Sequence, residues 1–552
     1  PVTAAPWFPV DWDPLDAELT WFRGEINFPK PVSPLFASWL KRVFDEGGTR
    51  ALRVGGPPIR FTGKRINTFW YEADVPLDLS PDERAAWVES SEKALDDSLE
   101  RLGDLWEREY LPEVQTTVTV LERTPLEALS DQRLAVHLEY ALARSIRAWE
   151  IHFLALTPAM VALNEFEKLC VQIFGEDGSL AAFEMLQGFD NKTLAMERAL
   201  RALARAAADN QVVVDVLIMK PPGDVVEALR RDSHAADFVR ELDAFLTVYG
   251  RRCERFELMV PTWRDDPTPV IETIRLLLDA PKEPARSIVV AAERRERAVA
   301  TAQDRWKDLP SEMQERFGPM LAAAQAAIVI TEDHAFHIDG ALQFEIRRLV
   351  LECGRRLVKR RLLADEDDIF MLTLEEMTSC LADDGPDFRG EVSTRRAEME
   401  RWALVKAPAM LGTPTAEESG RSAEAWASFG GRRVSESTPD GAIKGVAASA
   451  GRASGTARVI ATPRDARRLM PGDVLVVEAT APTWAPLLSS VSALISERGG
   501  PLSHCAILAR EYGVPAVVGV DGATRRIRDG DIVEVDGSAG LIRIVHPERA
   551  RD

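Results

Sequence analysis

Residues 497–513, Glu-Arg-Gly-Gly-Pro-Leu-Ser-His-Cys-Ala-Ile-Leu-Ala-Arg-Glu-Tyr-Gly, contain the histidine best placed for chemistry in this 552-residue chain. The glycine pair Gly499 and Gly500 leads into His504, and an apolar run at helical spacing begins at once. Residues 491–496 read as a strand before the glycines, and 514–520 as another after the helix. Strand, glycine turn, histidine and helix together put one imidazole where backbone N–H groups converge. A helix N-terminus leaves about four such groups unpaired and carries partial positive charge, which suits phosphate. A neutral imidazole there can attack phosphorus while the amides hold the oxygens of the product. The same string also fits a capping loop whose histidine is merely half-exposed.

A second constellation lies at Glu332–Asp339. On a regular helix Asp333 and His337 are four residues apart and share a face. An aspartate beside a histidine fixes its tautomer and makes it a better proton acceptor. A phenol, with a pKa of about 10, becomes a nucleophile when such a base takes its proton. His334 shares the helix but points about 60° away, toward Glu345 and Arg348. His152 is a further candidate for binding the acceptor, and Arg252, Arg347 and Arg348 offer charge to a transferring phosphoryl group. Each of these histidines also fits a helical core, and each arginine a solvated or ion-paired surface.

The elements that must position these groups fall into three stretches. Residues 1–80 are rich in aromatics and proline and read as irregular, with Trp7, Phe8, Trp12, Trp21, Phe22, Phe28, Phe36 and Trp39 within forty residues. Individually these are core residues; together they could line a pocket for a flat apolar molecule. Residues 81–410 read as helical, opening on the Ser80-Pro81-Asp82-Glu83 capping signal. Helices are expected over 81–110, from 130 toward Pro158, and over 192–208, 235–249, 282–307, 311–328, 334–362 and 391–405. Gly, Ser, Pro and Glu dominate from 412 to 440, a linker composition. Beyond it short strands are expected at 455–460, 473–477, 491–496, 515–520, 531–535 and 541–545.

A net charge of −20 argues against a nucleic-acid partner. No run of about 18 apolar residues suggests a membrane span, and the first residues do not read as a signal peptide. Five scattered cysteines give neither a disulfide framework nor a zinc motif, so no metal site and a reducing cytoplasm are expected.

The 497–513 stretch resembles the phosphohistidine signature of enzymes that move phosphate between phosphoenolpyruvate and ATP, such as pyruvate phosphate dikinase, phosphoenolpyruvate synthase and rifampicin phosphotransferase. The match covers Gly499, Gly500, Ser503, His504, Ala506, Ile507, Ala509, Arg510, Glu511, Gly513, Pro515, Ala516 and Val517. The family usually has threonine where Leu502 stands and alanine where Cys505 stands. The resemblance implies that His504 is phosphorylated and that Gly499, Gly500, Ser503, Arg498 and Arg510 bind phosphate. Over the rest of the chain the sequence resembles the phosphotransferase subunit of two-part phenol kinases, such as phenylphosphate synthase. That likeness rests on Trp149-x-x-His152-Phe, Tyr249-Gly-Arg-Arg252, Pro261-x-Trp263-x-x-Asp-Pro267, Glu332-Asp-His334-x-Phe-x-Ile-Asp339 and 365–375. It implies an acceptor site using His152, Arg252, Trp263 and Arg347, with His337, His334 and Asp333 as the catalytic group.

No Gly-x-x-x-x-Gly-Lys-Ser/Thr loop is present; Gly55–Arg65 has neither the spacing nor the hydroxyl. The resemblance implies that ATP and Mg²⁺ act through a separate ATP-grasp kinase subunit, with a small aromatic hydroxyl compound as acceptor. The expected fold is α+β: a large, mostly helical acceptor-binding domain over 1–411, a linker over 412–440, and a small C-terminal β/β/α swivelling phosphohistidine domain over 441–552. An antibiotic phosphotransferase of the rifampicin type with its ATP domain split off, and a non-catalytic phosphocarrier or regulatory module, are the alternatives.

Overall fold

Helices that end on sequence signals carry most of the chain, and a β-rich domain closes it. The structure is a computed structural model. It describes residues 7–25, 27–175, 178–278, 288–307, 310–382, 385–412, 438, 441–461, 465, 468–479, 485–488, 490–500 and 503–545. The expected linker falls almost wholly outside the described residues. Contacts divide the chain into two units, each assembled from three segments: 1–159 with 255–261 and 334–416, and 160–254 with 262–333 and 417–552.

The first unit contains a four-stranded antiparallel sheet in the order Ile59–Ile66, Phe69–Pro76, Trp21–Arg23, Met410–Leu411. This corrects the reading of 1–80 as irregular. The hairpin turns at Asn67 and Thr68, whose φ values of 46° and 70° are both left-handed. Such a turn suits the twist of paired strands, but threonine rarely occupies it, so the turn was not legible. Nor does Phe69-Trp70-Tyr71 alternate, because all three side chains are buried. Phe8, Trp21, Phe69, Tyr71, Trp402 and Leu411 form the core beneath the sheet.

The helix Pro34–Arg42 packs nearby. Ser33 Oγ accepts the Phe36 N–H and donates to Glu257, which also accepts the Ser33 N–H at 3.0 Å. Ser80 and Glu83 form the expected capping box at the head of Pro81–Glu100. That helix is shorter than 81–110: it yields at Arg101, and a π-helical turn over Leu105–Tyr110 leads into Leu111–Arg123. The long helix Asp131–Phe174 runs on through Pro158 without a break. By length and composition it could cross a membrane, unlike the reading from the sequence; 56% of its most apolar window is buried within the protein. Another π-helical segment, Ala335–Leu342, separates Ser311–His334 from Gln343–Lys359, where the sequence suggested one uniform helix from 334.

In the second unit Lys192–Ala208, Ala236–Tyr249 and Thr268–Leu278 pack through Leu200, Phe238, Phe245, Trp263 and Ile271. The C-terminal domain is an eight-stranded mixed sheet, in the order Ile443–Lys444, Leu541–Val545, Ile532–Asp536, Arg452–Val459, Val474–Val477, Ala493–Ser496, Ala516–Val518, Val446–Ser449. Four neighbours, from Arg452–Val459 to Ala516–Val518, run parallel. The last three of these are buried at every position, as parallel strands covered on both faces must be. The fold class is α+β, as the sequence indicated. Leu475, Leu494 and Leu508 of this domain share an apolar cluster with Leu194, Leu276 and Ile288 of the helical segments in the same unit.

Candidate functional site

His504 owes its position to a strand, a glycine and a helix start. The buried strand Ala493–Ser496 delivers the chain to Gly499, whose φ of +105° is open to glycine and strained for other residues. Ser503, at φ −68° and ψ 153°, is the N-cap, and His504 is the first residue of the helix His504–Tyr512. Ser503 Oγ does not cap that helix: it donates to the Gly500 carbonyl at 2.7 Å and lies 3.1 Å from Cys505 Sγ. The loop is thus held closed by its own hydroxyl, and the first helical turn is not capped by it. Gly513, in the left-handed conformation, ends the helix.

The two arginines expected at the phosphate are engaged elsewhere. Arg498 pairs with Glu478. Arg510 is six residues beyond His504, about 9 Å along the helix. It donates to the Ala448 carbonyl at 2.7 Å and covers the Phe183 ring at 4.2 Å, and burial lowers its pKa to about 10. Next to it, Glu511 accepts the Gly188 N–H on both carboxylate oxygens at 3.0 Å. Burial raises the Glu511 pKa to about 7. Arg510 and Glu511 therefore anchor the C-terminal domain on the helical segments rather than serving the histidine.

Of the helical candidates in the second unit, Asp333 accepts the Lys192 N–H at 2.8 Å at the head of Lys192–Ala208, and burial raises its pKa. Its neighbour Glu332 accepts from Thr193 Oγ1 at 2.7 Å, and Arg252 reaches the same hydroxyl at 3.4 Å. Arg252 is buried, and desolvation lowers its pKa against the opposing pull of Glu332 and Asp333. Trp263 is a core residue stacked on Phe245, with ring centroids 6.4 Å apart. Asp333, Arg252 and Trp263 thus organise a helix terminus and its core. The expected pairing of Asp333 with His337 assumed α-helical geometry throughout, and the helix turns π at Ala335.

In the first unit, Arg347 donates to the Leu258 carbonyl at 2.6 Å and lies over the Phe370 ring, fixing the 255–261 segment. His337 is buried edge-on to Phe336, with centroids 4.9 Å apart. His334 meets Asp339 and His152. His152 Nδ1 lies 3.6 Å from Asp339 Oδ1, and His334 Nε2 lies 3.8 Å from Asp339 Oδ2. The two imidazoles meet edge to face at 4.8 Å. On an α-helix residues five apart diverge by about 140°. Hydrogen bonding between residues five apart, the π-helical pattern, instead stacks His334 over Asp339. Asp339 appeared in the sequence motif without a role, because its partners become visible only once the π-helix and the distant His152 are placed.

Trp149 stacks on His152 at 4.7 Å and also lines a crevice with Phe36, Trp39, Phe256, Leu258 and Ile338. The crevice is narrow, about 20 Å³ as it stands. The aromatic stretch at the start of the chain therefore supplies part of an apolar slot beside the histidine–carboxylate cluster. Gly55–Arg65 forms a helix end and a strand, with no helix N-terminus for a nucleotide phosphate to meet, so these residues do not fit ATP.

Residues 469–540 match the family described as PEP-utilising enzyme, mobile domain, and residues 152–332 match the rifampicin phosphotransferase fourth domain. The chain is 34% identical over 555 residues to the chondramide synthase of Chondromyces crocatus, covering 98% of this chain and 14% of that protein. It is 28% identical over 528 residues to the uncharacterized phosphotransferase YvkC of Bacillus subtilis, covering 95% and 62%. A rifampicin phosphotransferase of Streptomyces sviceus is 30% identical over 364 residues, covering 64% and 40%. The chain spans less than two thirds of the length of each of these relatives.

Proposed function

From a chain that carries the mobile domain of PEP-utilising enzymes and the fourth domain of rifampicin phosphotransferases, we infer a phosphotransferase that works through His504. The observation that carries this reading is the backbone: a glycine turn sets His504 at the first position of a helix whose N-cap hydroxyl is turned back into the loop. Amides of that first turn would hold the phosphoryl oxygens on the imidazole. The acceptor is the hydroxyl of an aromatic compound bound in the Phe36–Trp149–Phe256 crevice and made nucleophilic at the adjoining His152–His334–Asp339 cluster. In the transfer the acceptor oxygen bonds to phosphorus as the bond from phosphorus to the His504 nitrogen breaks. That electron pair returns to the imidazole, and the hydroxyl proton leaves at the cluster. Phosphorylation of His504 is assigned to an ATP-grasp partner that holds ATP and Mg²⁺.

The crevice must widen to admit a ring, since its present volume suits a single water-sized group. The similarity to rifampicin phosphotransferases over 152–332 favours a second reading, in which the acceptor is a larger hydroxylated antibiotic. The test is to incubate the chain with ATP-grasp partners, labelled ATP, and a panel of simple phenols and rifamycins. Acid-labile label is expected on the chain and absent from His504→Gln. Trp149→Ala is expected to keep the label and lose transfer to the acceptor. Label that persists in His504→Gln would overturn the reading.

A further inference from the structure

We propose that His152, His334 and Asp339 bind a divalent first-row transition ion, with Zn²⁺ as its probe. The donor atoms of the three side chains all lie within 4.8 Å of one another. At 3.6 and 3.8 Å the imidazole-to-carboxylate separations exceed the hydrogen-bonding range, so the three groups are not a hydrogen-bonded relay. Ligands about 2.1 Å from a shared tetrahedral ion sit about 3.4 Å apart, so the two imidazole–carboxylate pairs must close by a few tenths of an ångström and the widest donor pair, within 4.8 Å, by up to about 1.4 Å. His152 Nδ1 and Asp339 Oδ1 are buried, and neither has a hydrogen-bond partner among the described residues. Burying such atoms is costly unless something satisfies them, and a shared cation satisfies both.

The donor set narrows the ion. Two imidazoles and one carboxylate favour Zn²⁺, Fe²⁺ or a neighbouring ion over Mg²⁺ or Ca²⁺, which prefer all-oxygen shells. Three protein ligands leave at least one coordination position open, the pattern of a catalytic rather than a structural site. Supporting contacts hold the ligands in place. Trp149 stacks on His152, and the π-helix that carries Asp339 begins directly after His334, a geometry frequent at functional sites. Trp149 and Ile338, the neighbours of these ligands, line the aromatic crevice, so the cluster adjoins it.

The role of the ion rests on the proposed function; its binding does not. A hydroxyl oxygen on the ion has a lowered pKa and gives up its proton to solvent. The resulting oxyanion bonds to phosphorus as the nitrogen–phosphorus bond at His504 breaks, and the freed imidazole nitrogen keeps the electron pair. The cluster then acts through the ion, not as a direct base.

The test is equilibrium dialysis of the full chain against Zn²⁺, with bound metal counted, for the wild type, His152→Gln and Asp339→Asn. Both substitutions nearly preserve side-chain shape, and thermal melts of the metal-free proteins check that each folds. Each variant is expected to lose one bound equivalent, or to bind it about 100-fold more weakly. Co²⁺ in the wild type is expected to show visible bands of a four- or five-coordinate ion that both variants lack. Equal zinc content and equal Co²⁺ spectra in all three proteins would overturn the site. Because the metal is counted without any transfer reaction, zinc retention alongside an inert acceptor panel would refute the proposed function and leave the site standing. Phosphoryl transfer with no metal difference would do the reverse.

Discussion

At Gly499 the backbone stands at φ +105°, and a Cβ added there would lie 2.6 Å from Ser503 Oγ, the hydroxyl that closes the loop. Gly499→Ala is therefore expected to cost about 1–3 kcal/mol and to slow phosphorylation of His504, read by urea unfolding and by labelling. An unchanged labelling rate would mean that the turn does not set the position of the histidine. This residue and His504 were legible in the sequence because glycines, N-cap and helix are adjacent in the chain, where local rules hold. Arg510 was not. Its spacing fitted a phosphate ligand, but burial against Phe183 and the Ala448 carbonyl decides what its guanidinium touches. Asp339 was legible as a motif member only, since its function depends on a histidine 187 positions away in sequence.

Elements with strong end signals were read closely. Asn191 caps Lys192–Ala208, and Ser80 with Glu83 opens Pro81–Glu100 at the expected residue. The π-helical stretches and the hairpin at Asn67-Thr68 were not read, because a period near 3.6 is assumed in the first case and an ordinary turn residue in the second. Among the elements that shape the crevice, Pro34–Arg42 has the clearest lever. Ser33 satisfies both its first turn and the buried Glu257 carboxylate, whose pKa burial raises. Ser33→Ala removes the cap and one of the bonds to Glu257 while leaving the backbone bond. A loss of about 1–2 kcal/mol is expected in chemical denaturation. Ser33→Thr, which keeps the hydroxyl, should recover most of it, and equal losses in both would assign the effect to packing instead.

At the scale of the molecule, the proposed transfer depends on how firmly the His504 domain is held on the helices of its own unit. The contact has an apolar part, Leu475, Leu494 and Leu508 with Leu194, Leu276 and Ile288, and a polar latch, Glu511 on the Gly188 N–H. Gly188 has a φ of +76°, and a Cβ there would come within 2.3 Å of the Ala292 nitrogen, so its backbone can be presented only by glycine. Burial raises the Glu511 pKa from 4.5 to about 7; Arg510 and Arg295 oppose the rise and Glu332 adds to it. If the domain leaves its seat, Glu511 returns to water and to its ordinary value. The seated form then holds an extra proton between those two pH values. Seating is strongest below about pH 4.5, weakens as pH rises, and levels off above about pH 7 after losing roughly 3 kcal/mol. Hydrogen exchange of the His504–Tyr512 helix between pH 5 and 8, corrected for intrinsic exchange, is expected to show protection falling over that window. Glu511→Gln, which cannot ionise, should flatten the profile while keeping an oxygen for the Gly188 N–H. A profile that still falls in Glu511→Gln would place the titrating group elsewhere, and a flat wild-type profile would mean that the latch does not govern release of the carrier.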